Sequence, residues 1–205
     1  IKYLEDNDGK YLVAIIDYKT GYVPTTLDNI NYGLHLQLPV YIYLTKRGLH
    51  KDIKITGFYL QKILNNKTVD SDSLEEDSKK ALRLDGYSLD SEEEIIKFYK
   101  TYTKSDVIKG MATTSKGFAH YTKLFNDSDI DKIDKIVDER INEVVGAIEE
   151  GDFSINPKRV KGELIGCEFC KYKEICYRKE EDIVDLEYKT RKDILGDDDN
   201  AQVDE

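Results

Sequence analysis

The chain has 205 residues, 40% of them hydrophobic, so it is long enough for one sizeable core and too short for two full domains. Its net charge of −10 argues at first against a nucleic-acid partner, because neutralising phosphates takes clustered lysine and arginine. No apolar run approaches the ~18 residues of a membrane span, and no signal-peptide pattern is present, so we expect a cytoplasmic protein without a membrane partner.

The acidity is concentrated at the end of the chain. Residues 180–205 carry eleven acidic side chains against three basic ones, and we predict that they form an acidic, partly disordered tail. Residues 156–179 reverse the balance, with seven basic side chains against three acidic ones. A mixed-charge solvated surface is one interpretation, and a nucleic-acid interface is the other. The candidates for the nucleic-acid interface are Lys158, Arg159, Lys161, Lys171, Lys173 and Arg178.

The first predicted elements are a strand and a helix. The apolar run Tyr11–Asp17 predicts a buried strand, and the polar turn before it predicts a hairpin with a strand upstream. The chain begins at Ile1 without a methionine, so we expect a fragment in which most of that upstream strand is missing. Asp28 is suited to cap a helix that runs through Thr45, in which Pro39 should cause a bend.

The remaining elements complete an α/β pattern. Residues 53–63 predict a second strand beside the first, and residues 65–80 predict a loop. Acidic residues open a predicted helix over 91–103, and an apolar stripe predicts a longer helix over 129–150. Together these elements predict a mixed sheet flanked by helices.

We divide the chain accordingly. Residues 1–179 form one predicted domain, followed by the acidic tail. Within that domain we place the core at about 1–64, a helical addition at about 88–151 and a cysteine motif at 166–178.

A first candidate site lies in AIIDYKTG, residues 14–21. Asp17 and Lys19 are two residues apart on the predicted strand and therefore point to the same side. The carboxylate can hold Mg²⁺ or Mn²⁺, and the lysine can meet a phosphate or an attacking water. Gln37 and Tyr41, four residues apart on the following helix, share one face near this strand. A charged turn after a strand, an ordinary polar glutamine and a core tyrosine are the alternative interpretations.

A second candidate site is GCEFCKYKEIC, in which Cys167, Cys170 and Cys176 have the spacing C-x2-C-x5-C. These are the chain's three cysteines, and an odd number with this spacing favours a metal site over disulfides. A tetrahedral site needs a fourth ligand, which must come from a distant residue, another molecule or a part of the chain that is missing. Three unligated thiols are the other interpretation.

The segments IDYKTG, QLPVY and GCEFCKYKEIC, in that order and preceded by SINPKRVKG, resemble the C-terminal nuclease domain of AddB-type subunits of bacterial helicase-nucleases. These subunits belong to the RecB-like branch of the PD-(D/E)xK nucleases. The resemblance covers the chain from about Tyr11 to Arg178. It implies a restriction-endonuclease-like core and Mg²⁺-dependent exonuclease activity on DNA ends fed by a helicase. It also implies a companion A-type subunit and a role in recombinational repair.

The resemblance assigns roles to individual residues. Asp17 would bind the metal, together with the backbone carbonyl of Tyr18, and Lys19 would be the catalytic lysine. Gln37 and Tyr41 would match the family's Q-x3-Y motif. The three cysteines would be three of the four thiolates that hold a 4Fe-4S cluster.

Two departures from the family pattern limit these expectations. The family's upstream metal-binding aspartate and its first cluster cysteine would both precede Ile1, so we expect an impaired metal site and an incomplete cluster in this fragment. Two other hypotheses therefore stay open. One is a DNA-end-binding module whose hydrolytic centre has lapsed, and the other is a zinc-stabilised interaction domain.

Overall fold

The computed structural model describes residues 1–5, 9–21, 25–49, 52–64, 74–168 and 170–196. The chain divides into two compact units. The first unit contains residues 1–26 and 35–137, and the second contains residues 27–34 and those from 138 onward.

Regular elements make up much of the described chain. The strands are β1 (Lys2–Glu5), β2 (Tyr11–Lys19), β3 (Ile53–Lys62), β4 (Leu84–Leu89), β5 (Thr113–Thr114), β6 (Gly117–Phe118), β7 (Leu124–Phe125), β8 (Lys158–Val160), β9 (Glu163–Leu164) and β10 (Val184–Leu186). The helices are α1 (Gln37–Gly48), α2 (Leu74–Ala81), α3 (Glu92–Phe98), α4 (Asp127–Glu150) and α5 (Arg191–Leu195), with 3-10 turns at Ile30–Tyr32 and Glu180–Asp182. No helix in the described part of the chain is both long and apolar enough to cross a membrane.

The first unit is built on a five-stranded mixed sheet with the order β1-β2-β3-β4-β7. β1 and β2 form the predicted antiparallel hairpin, and β2 lies parallel to β3 with α1 as the crossover between them. β4 is antiparallel to β3, and β7 is parallel to β4. This arrangement confirms the predicted α/β class, with a mixed sheet flanked by helices.

The two faces of the sheet have different neighbours. One face carries Ala14, Ile16 and Tyr59, which pack into a core cluster with apolar residues from α3 and from the segment that follows it. The opposite face, here called the site face, carries Asp17 and Lys19, because side chains alternate along a strand. The ladder between the strands places Leu60 and Asp85 on the site face as well, in register with Asp17.

Helix α1 begins later than predicted. Asp28 does not cap it; the carboxylate instead accepts hydrogen bonds from the Tyr188 hydroxyl and from the backbone N–H of Arg191, at 2.8 Å for the latter. The helix starts at Gln37, so Pro39 occupies its first turn, where backbone N–H groups have no partner within the helix. The predicted bend at Pro39 is therefore unnecessary.

Other boundaries also differ from the sequence predictions. The predicted core ended at about residue 64, but β4 and β7 extend the sheet beyond it. Residues 74–81 form a helix where a loop was predicted, and residues 65–73 of that loop lie outside the described residues. The helix predicted over 91–103 ends at Phe98.

The second unit gives structure to much of the predicted acidic tail. β10 pairs in parallel with β8, and Leu195 of α5 is 2% exposed. The first half of the tail is therefore folded. The run from residue 197 to 205, where we predicted disorder, lies outside the described residues.

Candidate active site

Asp17 and Lys19 lie at the end of β2, the strand between β1 and the central strand β3. Both side chains are mostly buried, with 17% and 22% of their surface exposed. Nζ of Lys19 is 2.8 Å from Oδ2 of Asp17. The apolar residues Val13 and Ile15 fix the strand in the core and thereby fix which side these two polar side chains occupy.

Helix α1 brings two more polar groups to the same place. Nζ of Lys19 donates a short hydrogen bond to Oε1 of Gln37. Nε2 of Gln37 donates in turn to the Tyr41 hydroxyl, at 3.0 Å. Asp17, Lys19, Gln37 and Tyr41 thus form a continuous series of contacts, here called the polar chain. The structure brings together the four residues that the two sequence motifs singled out.

The helix is held in this position by ion pairs with α4. The guanidinium of Arg47 donates to both carboxylate oxygens of Asp134, at 2.7 and 3.3 Å, and Lys46 lies 3.3 Å from Asp131. These contacts are at the far end of α1 from Gln37. Together with the buried face of the helix, which includes Leu38 and Ile42, they favour the orientation of Gln37 and Tyr41 toward β2.

The Asp17 carboxylate has one oxygen with unused capacity. Oδ2 is buried, and its contact among the described residues is the Lys19 ammonium at 2.8 Å, which leaves room on a carboxylate oxygen for a second partner. A buried oxygen of this kind suits a hard divalent cation, which takes oxygen ligands. Asp17 therefore fits as one ligand of Mg²⁺ or Mn²⁺. The described residues contain no group of three or more histidine, cysteine or acidic side chains that could hold a metal by themselves.

Tyr18, whose backbone carbonyl was predicted as a further metal ligand, lies in β2 between Asp17 and Lys19. Its side chain points to the opposite face of the sheet and is exposed. The phenol therefore takes no part in the polar chain, and a role for Tyr18 rests on its carbonyl alone.

The sequence motifs did not indicate a second charged cluster, which lies on the site face. Asp85 of β4 accepts hydrogen bonds from Lys123 at 2.8 Å and from Lys109 at 3.1 Å, and Lys123 also donates to the carbonyl of Thr25 at 3.0 Å. Burial alone would raise the pKa of Asp85, but the two lysines more than offset it and hold the pKa below its ordinary value. These residues come from distant parts of the chain, so no local spacing could indicate them.

The cysteine motif lies in the second unit on a run of turns. The N–H of Cys170 donates to the carbonyl of Cys167 at 3.3 Å, so the C-x2-C segment turns tightly, and the N–H of Tyr172 donates to Sγ of Cys170 at 3.4 Å. All three thiols, including that of Cys176, are free and partly exposed. They do not form a group of three metal ligands in the part of the chain described here, so these residues alone do not fit a 4Fe-4S cluster.

The six basic candidates for DNA contact have different surroundings. Arg159 makes a bidentate contact with Asp185, at 2.6 and 2.9 Å, and a further contact with Glu180 at 2.6 Å, and these carboxylates raise its pKa. Nζ of Lys161 lies 3.3 Å from the centre of the Tyr188 ring. The candidates with neither an ion pair nor a cation–π contact to a described residue are Lys158, Lys171, Lys173 and Arg178, of which the last three are exposed.

The chain is similar to known nucleases. The model of the PD-(D/E)XK nuclease superfamily matches residues 3–177. Curated proteins named as one subunit of an ATP-dependent helicase/deoxyribonuclease are similar over most of the chain. The one from Carboxydothermus hydrogenoformans is 27% identical over 186 residues, which is 86% of this chain. Those from Thermoanaerobacter pseudethanolicus and Bacillus cereus are 29% and 24% identical and cover 80% and 93% of this chain. The aligned part is only 15–17% of the length of these relatives.

Proposed function

The chain belongs to the PD-(D/E)XK nuclease superfamily, and from that premise we propose that it hydrolyses DNA phosphodiester bonds with the polar chain as its active site. The observation that carries the proposal is the contact series from Asp17 through Lys19 and Gln37 to Tyr41. Each residue comes from a sequence motif that the family resemblance assigns to the active site. An incidental surface cluster would not be expected to follow two such motifs.

Asp17 would hold Mg²⁺ or Mn²⁺ through its buried oxygen, together with the carbonyl of Tyr18. A bound divalent cation would polarise the phosphoryl oxygen and neutralise charge that develops on it. Lys19 is already oriented by its contacts with Asp17 and Gln37, so its ammonium can donate to the phosphate without a large loss of side-chain entropy. Gln37 fixes Lys19, and Tyr41 fixes Gln37, so both act through position.

We further propose the larger setting in which this activity operates. The relatives' names describe ATP-dependent helicase/deoxyribonuclease subunits. The chain would act as the exonuclease part of such a protein in the cytoplasm, on DNA ends delivered by a helicase, with a companion A-type subunit, in recombinational repair. The three cysteines would contribute to a 4Fe-4S cluster only with a ligand from outside the described residues.

The test compares Asp17→Asn with Asp52→Asn. Both substitutions remove one carboxylate charge from the first unit, but the Asp52 side chain is highly exposed, and its ion pair within the described residues is a 3.9 Å contact with Lys10. We expect Asp17→Asn to reduce Mg²⁺-dependent cleavage of end-labelled linear DNA by at least about 10²-fold. The thermal midpoint should be preserved, and Asp52→Asn should cleave like the parent protein.

Two controls define the reaction. EDTA should abolish cleavage, and closed circular DNA should resist an exonuclease. Cleavage that survives in Asp17→Asn would contradict the assigned active site. A parent protein that binds DNA ends but does not cleave them in Mg²⁺ or Mn²⁺ would instead identify a DNA-end-binding module.

A further inference from the structure

Lys62 lies directly beside Lys19, at the end of the neighbouring strand. The two residues are in register across the parallel pair β2 and β3, and the ladder continues past them, since the N–H of Ile63 donates to the carbonyl of Lys19 at 2.9 Å. Adjacent strands are about 4.8 Å apart, and residues in register point to the same face. Lys62 therefore projects from the site face next to the polar chain.

The charges of these two lysines are balanced differently. The Lys19 ammonium contacts Asp17 at 2.8 Å, whereas Lys62 makes no ion pair or side-chain hydrogen bond with any residue in the described ranges. Like charges directly opposite each other in a sheet are unfavourable. Asp17, Lys19 and Lys62 together carry one excess positive charge, which an anion bound at this edge would neutralise.

The other lysine of the same strand, Lys54, shows how a structural lysine is accommodated here. Its ammonium lies 2.9 Å from Glu94 and 3.2 Å from Asp127. Burial lowers the pKa of Lys54, but these two carboxylates more than offset burial and raise it above its ordinary value. Strand β3 thus has a lysine at its start that two carboxylates compensate, and one at its end, beside the polar chain, that no described carboxylate compensates.

We propose that Lys62 binds a phosphate group of the DNA strand that enters the active site, adjacent to the phosphate that Lys19 contacts. This inference rests on the proposed function, because it takes the polar chain to be the place where DNA is cut. Lys62 contributes to substrate binding through charge and position. It has no part in the chemical step, so its loss should affect KM more than kcat.

The test uses Lys62→Ala, Lys62→Arg and the control Lys2→Ala. Lys2 is an exposed lysine of β1 in the same sheet, and it is in register with Ala14 on the opposite face. Binding of a fluorescent single-stranded DNA oligonucleotide is measured in EDTA over a range of KCl concentrations, and cleavage kinetics are measured in Mg²⁺.

We expect Lys62→Ala to weaken binding on the order of tenfold at low salt and to reduce the salt slope by about 0.7, the value for one phosphate contact on a single strand. KM should rise with little change in kcat. Lys62→Arg should keep the salt slope, and Lys2→Ala should behave like the parent protein. Unchanged thermal midpoints show that all variants are folded.

The outcomes separate this inference from the proposed function. If Lys62→Ala matches Lys2→Ala while cleavage still depends on Asp17, the inference about Lys62 is wrong and the proposed function stands. If Lys62 determines the salt slope but the parent protein cleaves no DNA, the phosphate contact stands and hydrolysis is wrong. If the parent protein binds no DNA in EDTA, Lys62 has no such role.

Discussion

The polar chain and the cysteine motif were both indicated by short sequence spacings, yet among the described residues only the first is assembled. Asp17, Lys19, Gln37 and Tyr41 lie on a strand and a helix, where a spacing of two or four residues fixes which side chains share a face. The cysteines lie on turns, where short-range backbone hydrogen bonds, such as that from Cys170 to Cys167, fix local turns. Regular elements convert sequence spacing into geometry, and irregular segments need a bound group or further contacts to do so.

The largest expected effect tests whether the polar chain is an active site. We expect Lys19→Met, which keeps the length of the side chain but removes its charge, to reduce DNA cleavage by about 10²–10³-fold. Cys167→Ser, which changes a thiol that belongs to no group of three or more potential metal ligands among the described residues, should leave the thermal midpoint nearly unchanged in the same preparation. Cleavage rates and thermal unfolding of both variants provide the measurements.

Either of two results would break the comparison. Full activity of Lys19→Met would show that the assembled polar chain is structural. A fall of several degrees in the thermal midpoint of Cys167→Ser would show that the thiols belong to a structural site, as their spacing predicts.

The second prediction concerns what orders the second unit. Leu195 is almost completely buried, whereas residues 197–205 are rich in aspartate and offer little apolar surface to bury. We expect Leu195→Ala to lower the free energy of unfolding by about 2–4 kcal/mol, the cost of truncating a buried leucine. A chain that ends after Gly196 should unfold like the parent protein. Urea unfolding followed by circular dichroism measures the free energy of unfolding of both variants. A marked loss of stability in the truncated chain would show that residues 197–205 also stabilise the protein, contrary to this prediction.

Sequence patterns predicted the hairpin, the strands β2 and β3, the long helix α4 and the family resemblance, which the comparisons confirm. They failed where the decisive contacts are remote. Asp28 has the chemistry of a helix cap, but its partners Tyr188 and Arg191 are about 160 positions further along the chain. Local sequence spacing carries no information on contacts between residues so far apart in the chain.

Strand β4 was missed for a different reason. Its sequence LDGYSL contains aspartate and glycine, which are depleted in strands. Gly86 is nevertheless required, because a Cβ there would come within 2.1 Å of the carbonyl oxygen of Phe58. Close packing between strands thus requires a glycine at this position, although glycine in a sequence argues against a strand.

The third prediction concerns DNA binding by the basic segment. The guanidinium of Arg159 is occupied by Asp185 and Glu180, whereas Lys171 and Lys173 are exposed. We therefore expect Arg159→Gln to change the affinity for DNA by less than about threefold, and the double variant Lys171→Gln, Lys173→Gln to weaken it more and to reduce the salt slope. The DNA affinities of both variants are measured in EDTA over a range of salt concentrations. A larger effect of Arg159→Gln would show that DNA competes with the two carboxylates.

The smallest expected effect is a difference in acid sensitivity between Asp85 and Asp185, one from each unit. Burial would raise the pKa of Asp85, but Lys123 and Lys109 hold it below the ordinary value of 3.8, and hydrogen bonds from Arg159 lower the pKa of Asp185. A carboxylate with a lowered pKa contributes stability that is fully present above its ordinary pKa and is lost as the pH falls through the folded-state value.

Asp85→Asn should therefore destabilise the protein near pH 7, and the difference from the parent protein should disappear as the pH falls below about 3.8. Asp185→Asn should follow the same direction with a smaller amplitude, because its ion pair with Arg159 is exposed and screened by solvent. Thermal midpoints measured from pH 7 to pH 3 provide the comparison, and 1 M KCl should reduce the effect of Asp185→Asn more than that of Asp85→Asn. Equal amplitudes, or equal sensitivity to salt, would show that the cluster on the site face is no better shielded than the surface pair in the second unit.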